Sequence, residues 1–168
     1  KNDWHYLVSK YIMADYRNKL IADVVDMFHR YNRRVLILVS TKKHAEDIAN
    51  TIVWNYGYSD QVGLSFGGSS GKKFSSLRPC EGTKSGVIAD LISKDSREVL
   101  KEFEDGNISI LLGTTHLDEG ADISNLDVCI LAGGGKNPRR IIQRVGRALR
   151  KSKSGKYAYV VDFLDSNV

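Results

Sequence analysis

Two periodicities divide the chain. Between residues 15 and 31, Leu20, Ile21, Val24, Val25 and Phe28 recur at three- and four-residue intervals, which places apolar groups on one side of an α-helix. "RVLILVS" (34–40) follows as an unbroken apolar run rich in β-branched residues, the pattern of a strand covered on both faces. The next stretch, 40–57, returns to helical spacing. Ser40 or Thr41 can cap it, Ala45, Ile48, Ala49, Ile52 and Val53 form its apolar stripe, and Gly57 can end it. Residues 61–66 predict a short strand, and "GVIADLIS" (86–93) another. "SKDSREVLKEFEDG" (93–106) predicts a helix opened by Asp95 or Ser96, with Val99, Leu100 and Phe103 inward and Gly106 at its end. "ISILLGT" (108–114), "DVCILAG" (127–133) and "YAYVVDFL" (157–164) complete the strands.

Strands that alternate with helices and read as unbroken apolar runs predict an α/β fold, a mostly parallel central sheet flanked by helices. Ligands of such sheets gather at the carboxyl ends of the strands. The segments to inspect are therefore 40–43, 93–97, 113–122 and 133–138. Gly67–Gly86 breaks the alternation. It is rich in Gly and Ser, carries Lys72, Lys73, Arg78 and Lys84, and reads as a long basic loop.

Composition narrows the class. A chain of 168 residues suits one domain with a sizeable core. Its two cysteines, Cys80 and Cys129, have neither disulfide-framework nor zinc spacing. That pattern fits an intracellular compartment: cytoplasm, nucleus, or host cytoplasm for a viral protein. No apolar run approaches the ~20 residues of a membrane span. Charge is unevenly spread. Gly133–Lys156 holds nine Lys or Arg and no acid, while the remainder holds 16 basic against 20 acidic residues. The whole net charge of +5 arises in that segment, and a block so one-sided repels itself unless an anion neutralises it.

The same segment predicts a helix, started by Asn137 and Pro138. At about 100° per residue, Arg140, Gln143, Arg147 and Arg150 share a narrow arc, with Arg144 at its border. Ile141, Ile142, Val145, Ala148 and Leu149 lie opposite. One side suits a core and the other an anion. Phosphate fits best, because the planar guanidinium fork matches it bidentately.

Two other stretches imitate phosphate chemistry. "GGSSGKK" (67–73) has its glycines Gly67 and Gly71 four apart rather than five, and Lys73 stands where a P-loop needs Ser or Thr. "LDEGAD" (117–122) is acidic, but Thr114 and Thr115 separate it from its strand, and no P-loop accompanies it. Neither motif predicts a catalytic metal site.

Taken in order, "LILVSTKKHAEDI", "SKDSREVLKEFEDGNISILLGTTHLDEGADISNLDVCI" and "IIQRVGRALR" resemble the second motor domain of superfamily 2 helicases and translocases. The pattern Gln-Arg-x-Gly-Arg-x-x-Arg is complete from Gln143 to Arg150, and Thr114 is followed by Gly120 and Asp122 at the family spacing. "DYRNKLIADVV" (15–25) is similar to the segment that leads into this domain in DNA-repair and phage recombination helicases. The resemblance covers nearly the whole chain and implies a RecA-like three-layer fold over residues 15–168. Residues 1–14 would then be a linker or lead-in from a missing first motor domain.

The resemblance also implies roles. Arg147 and Arg150 become arginine fingers for the γ-phosphate of ATP, with Gln143 beside it. Gly120 lets the backbone approach the nucleotide, and Asp122 bonds the ribose. ATP with Mg is held mainly by the N-terminal RecA-like domain of the same protein. Nucleic acid, with DNA favoured by the lead-in, contacts Ser40, Thr41, Arg97 and Thr114 at strand ends and helix starts. No membrane is involved. The complete protein is expected to be an ATP-dependent helicase, and this chain by itself, without P-loop or acidic box, inactive. The alternative is a non-catalytic nucleic-acid-binding domain of the same fold. A cofactor cradle at "GGGKNP" (133–138) lacks Gly-x-Gly-x-x-Gly and the acidic residue that should follow.

Overall fold

The structure, a computed structural model, describes residue 12 and residues 14–66, 70–74, 78–79, 87–88, 91–114, 123, 126–133, 146 and 158–163. Their elements are α1 (Asp15–Arg30), β1 (Val35–Val39), α2 (Lys42–Tyr56), β2 (Val62–Ser65), β3 (Gly71–Phe74), β4 (Arg78–Pro79), β5 (Val87–Ile88), β6 (Leu91–Lys94), α3 (Ser96–Glu104), β7 (Ile110–Thr114), β8 (Val128–Leu131) and β9 (Tyr159–Asp162).

The three longest apolar runs make the centre. β1 lies between β7 and β8, parallel to both, and every residue of the three strands is buried. β2 joins β7 in parallel and β9 joins β8 in parallel. The seven-stranded sheet runs β6-β3-β2-β7-β1-β8-β9. Alternation along the strands feeds two cores. Ile37, Val39, Ile110, Leu112 and Ile130 meet Ile21, Val25, Ala45, Ile48 and Ile52 of α1 and α2. Leu36, Leu38, Leu111 and Cys129 face the other way and meet Val99 and Phe103 of α3. The described residues thus form three layers, helices on both faces of a mostly parallel sheet.

Local signals act as expected in the helices. Thr41 caps α2 by accepting a hydrogen bond from His44 N, and Gly57 ends it. Asp95 caps α3 by accepting from Arg97 N. Gly63 is required by packing. A Cβ there would lie 2.5 Å from Ile108 Cδ1 and 2.6 Å from Val99 Cγ1, so α3 can settle onto β2 only over a bare backbone.

Three expectations need correction. The stretch 67–86 is not simply a loop, because β3 and β4 fall within it. β3 pairs antiparallel with β2 and β6, and β4 pairs with β5. The expected strand 86–93 is correspondingly split between β5 and β6. The reason is charge: Lys72 and Lys73 point to opposite faces of β3, toward Glu46 of α2 at 2.8 Å and Glu102 of α3 respectively. A strand of paired lysines reads as a loop when only apolar alternation is sought. Leu20 faces solvent rather than the core. Ile12, within the expected lead-in segment, is buried.

Candidate nucleic-acid interface

The parallel strands end at one edge. Val39 is paired with Thr114, Ser65 with Gly113, and Leu38 with Leu131. Ser40, Thr41, Thr114 and Gly133 therefore lie on adjacent strand ends, ~4.8 Å apart per strand. The sheet reverses direction here. β1 is followed by β2 on one side, and β7 by β8 on the other. α2 leaves β1 toward one core, whereas Ile123 and Leu126, between β7 and β8, belong to the opposite core. Such a switch point opens a crevice at the carboxyl edge.

Four of the residues read from the sequence lie at this edge, in two different states. Thr41 is exposed, and its Oγ1 accepts from His44 N at 3.2 Å, which leaves the hydroxyl proton to donate elsewhere. The first N–H groups of an α-helix have no acceptor within it and favour anions; in α2 that of His44 is taken by Thr41. Thr114 is 6% exposed, and its Oγ1 has no hydrogen-bond partner among the described residues. Strand alternation from Ile110 and Leu112 puts it on the α2 side of the sheet. A buried hydroxyl without a partner costs about 1–3 kcal/mol.

Ser40 and Arg97 are engaged internally. Ser40 Oγ donates to Gly133 O at 2.5 Å, and a Cβ on Gly133 would collide with Ser40 N at 2.7 Å. That contact fastens the end of β1 to the end of β8. Arg97 donates through Nε and Nη2 to the two oxygens of Asp95, both at 3.3 Å. The pairing holds Asp95 below the usual carboxylate range and raises Arg97. Gln143, Arg147, Arg150, Gly120 and Asp122 lie outside the described residues.

Lys42 was missed by the sequence reading. Its Nζ donates to Ser70 Oγ at 2.9 Å and stands 5.5 Å over the Phe66 ring, while neighbouring Lys43 is paired with Asp47. A signal did exist. The first turn of α2 holds Lys42 and Lys43 and no acid, the wrong sign for a helix N-terminus unless an anion binds there. Among the described residues no group of three or more His, Cys, Asp or Glu could hold a metal, and no helix is long and apolar enough to cross a membrane.

Helices on both faces of a mostly parallel sheet, with a switch point at its carboxyl edge, make this an α/β domain of the RecA-like type. The chain belongs to the helicase conserved C-terminal domain family, which matches residues 69–152, within superfamily 2. It is 31% identical over 86 residues to putative helicase 22 of a Sulfolobus islandicus filamentous virus, covering 48% of this chain and 15% of that protein. It is 23% identical over 150 residues to the ATP-dependent DNA helicase fml1 of Schizosaccharomyces pombe, covering 88% and 16%. In fold it is similar to T4 UvsW, with a TM-score of 0.64 at 20% identity over 96% of this chain and 28% of that one. The chain thus spans about a sixth of the length of these curated relatives.

Proposed function

We propose that this chain is the second motor domain of an ATP-dependent DNA helicase or translocase, and that its edge at Thr41 and Thr114 lies on the nucleic-acid backbone. One observation carries the reading: the buried Thr114 hydroxyl, which has no hydrogen-bond partner among the described residues, beside the N-terminus of α2. The oxygens of a phosphate can accept from the two hydroxyls and from the N–H groups of Lys42 and Lys43. Lys42 adds charge without base preference. Ser40 and Arg97 reach a phosphate only by releasing Gly133 and Asp95, so Thr41 and Thr114 lead. DNA is favoured because the fission-yeast relative is named an ATP-dependent DNA helicase.

The family match includes residues 120–150, which supports the further roles. Arg147 and Arg150 bring positive charge to the γ-phosphate of ATP, with Gln143 beside it, and Gly120 and Asp122 face the nucleotide. Mg and the triphosphate are held mainly by an N-terminal RecA-like domain. Phosphoryl transfer depends on charge stabilisation, so fingers delivered from a second domain make hydrolysis depend on cleft closure. Closure in turn moves the Thr41–Thr114 edge along the strand.

Steady-state ATPase of the complete protein with saturating DNA tests this, beside an oligonucleotide-binding curve. Arg147→Ala and Arg150→Ala should each cut turnover by about 10³ to 10⁵ with binding nearly unchanged, and Arg139→Ala should be mild. The 168-residue chain alone should release no phosphate above a no-protein control. Normal turnover in both arginine variants, with DNA binding lost instead, would make the arginine face a nucleic-acid surface. The domain would then be a binding module.

A further inference from the structure

Behind Thr41 runs a buried chain of hydrogen bonds that no periodicity in the sequence indicates. His44 is 1% exposed and Asn18 2%. Polar side chains that deep must be bonded or they destabilise the fold. His44 Nε2 meets Asn18 Oδ1 at 3.0 Å. The carboxamide oxygen only accepts, so the imidazole carries its proton on Nε2 and donates. The backbone N–H of the same histidine donates to Thr41 Oγ1. The path Asn18–His44–Thr41 leads from the first turn of α1 to the hydroxyl at the edge. By accepting from His44, Thr41 Oγ1 is held in one rotamer, and its own proton is directed outward.

Burial, and then the neighbouring Arg17 guanidinium, hold the His44 ring neutral, with its pKa pushed down to about 4. The ring is therefore a fixed donor at neutral pH rather than a proton carrier. The cluster also reaches the last strand, because Arg17 Nη2 donates to Phe163 O at 3.5 Å and the guanidinium lies over the Phe163 ring. α1 stands outside the sheet, and apart from its packing this polar chain is its link to the edge.

We propose that His44, anchored by Asn18, is a positioning residue for nucleic-acid binding: it aims the Thr41 hydroxyl and ties that turn to α1. This rests on the reading of Thr41 as a phosphate contact. A general structural role would lower stability without regard to hydrogen-bond geometry. A positioning role requires a donor at the place of Nε2, whatever else fills the space.

The test measures single-stranded oligonucleotide affinity at fixed salt, with thermal melting, in the complete protein. Thr41→Val checks the underlying reading and should weaken binding about tenfold, the equivalent of one lost hydrogen bond to a charged group. His44→Gln keeps a terminal N–H at comparable reach and should bind within about twofold of the wild type. Asn18→Leu with His44→Leu removes both polar partners at once, which can leave stability nearly unchanged, and should weaken binding about five- to tenfold. If the double-leucine protein does not fold, His44→Met, similar in length but without a donor, decides in its place.

Retained affinity in the folded donor-free variant, with Thr41→Val impaired, would overturn the positioning role alone. Wild-type affinity in Thr41→Val would overturn the phosphate reading of the turn, and the positioning role with it. Equal losses in His44→Gln and the donor-free variant would show that Nε2 donation is not what matters.

Discussion

The two ends of the β2–β7 side of the sheet are built on different physics. β7, β1 and β8 are held by area: every residue is buried, and their neighbours are Ile, Val, Leu and Phe. β3 and β6, at the edge, bury Phe74 and pack Leu91 against the core but add ion pairs that the centre lacks. Lys72 reaches Glu46, Lys73 reaches Glu102, and Lys94 approaches the same Glu102 at 4.0 Å. Hydrophobic burial is not weakened by charge screening, whereas part-exposed ion pairs are. The proposed nucleic-acid edge inherits the firmness of the first kind, because Thr114 ends β7 and Thr41 follows β1, both central strands.

The sharpest contrast comes from Phe103→Ala. The ring is fully buried against both sheet and Arg34, whose guanidinium stacks 4.4 Å from its centroid. Its loss should cost about 3–5 kcal/mol by chemical denaturation, equally at low and high salt. A loss below about 1 kcal/mol would break the claim that area holds the centre.

Acid should act next. His44 has a folded pKa near 4 against about 6.5 unfolded, so the folded state binds fewer protons. Stability is then complete above pH 6.5 and falls as pH drops toward 4, by about 2–3 kcal/mol at most. His29, also lowered by burial, contributes with the same sign. Denaturation midpoints of wild type and His44→Gln between pH 7 and 4.5 check this: the variant should show the shallower slope.

Gly63→Ala sharpens the boundary between the regions, because β2 borders both. The new methyl meets Ile108 and Val99 at 2.5–2.6 Å, and overpacking of this kind costs about 1–3 kcal/mol. A neutral result would mean that α3 is free to shift on β2.

The smallest effect belongs to the charged edge. Glu102→Gln removes the shared partner of Lys73 and Lys94 and should cost about 1 kcal/mol or less. The loss should shrink in 1 M salt, where wild type and variant should converge. A loss unchanged by salt would give the edge the same physics as the centre.

The same division explains what the sequence reveals. β1, β7 and β8 announce themselves because strands covered on both faces must be apolar throughout. The caps at Thr41 and Asp95 are legible because only short polar side chains can close a helix start. β3 hides because its lysines are neutralised by glutamates 26 and 29 positions away in the chain, a pairing no local pattern carries. At the edge, Thr41 and Thr114 can be placed from strand ends alone. That Ser40 is bonded to Gly133, and Arg97 to its own cap, depends on geometry. Asn18 and His44 are invisible for another reason: each sits among polar neighbours in its helix, and burial becomes apparent only when α1 and α2 pack.

The most direct test of the account is Thr114→Val, an exchange of similar shape that deletes the orphan hydroxyl. Two quantities should be measured on one preparation: stability to denaturant without ligand, and affinity for a single-stranded oligonucleotide. Removing a buried group that has no partner should leave the free protein unchanged or about 1 kcal/mol more stable, while binding weakens about tenfold. A variant that is less stable yet binds as the wild type would show that the hydroxyl serves the fold and not the nucleic acid, and would contradict the account.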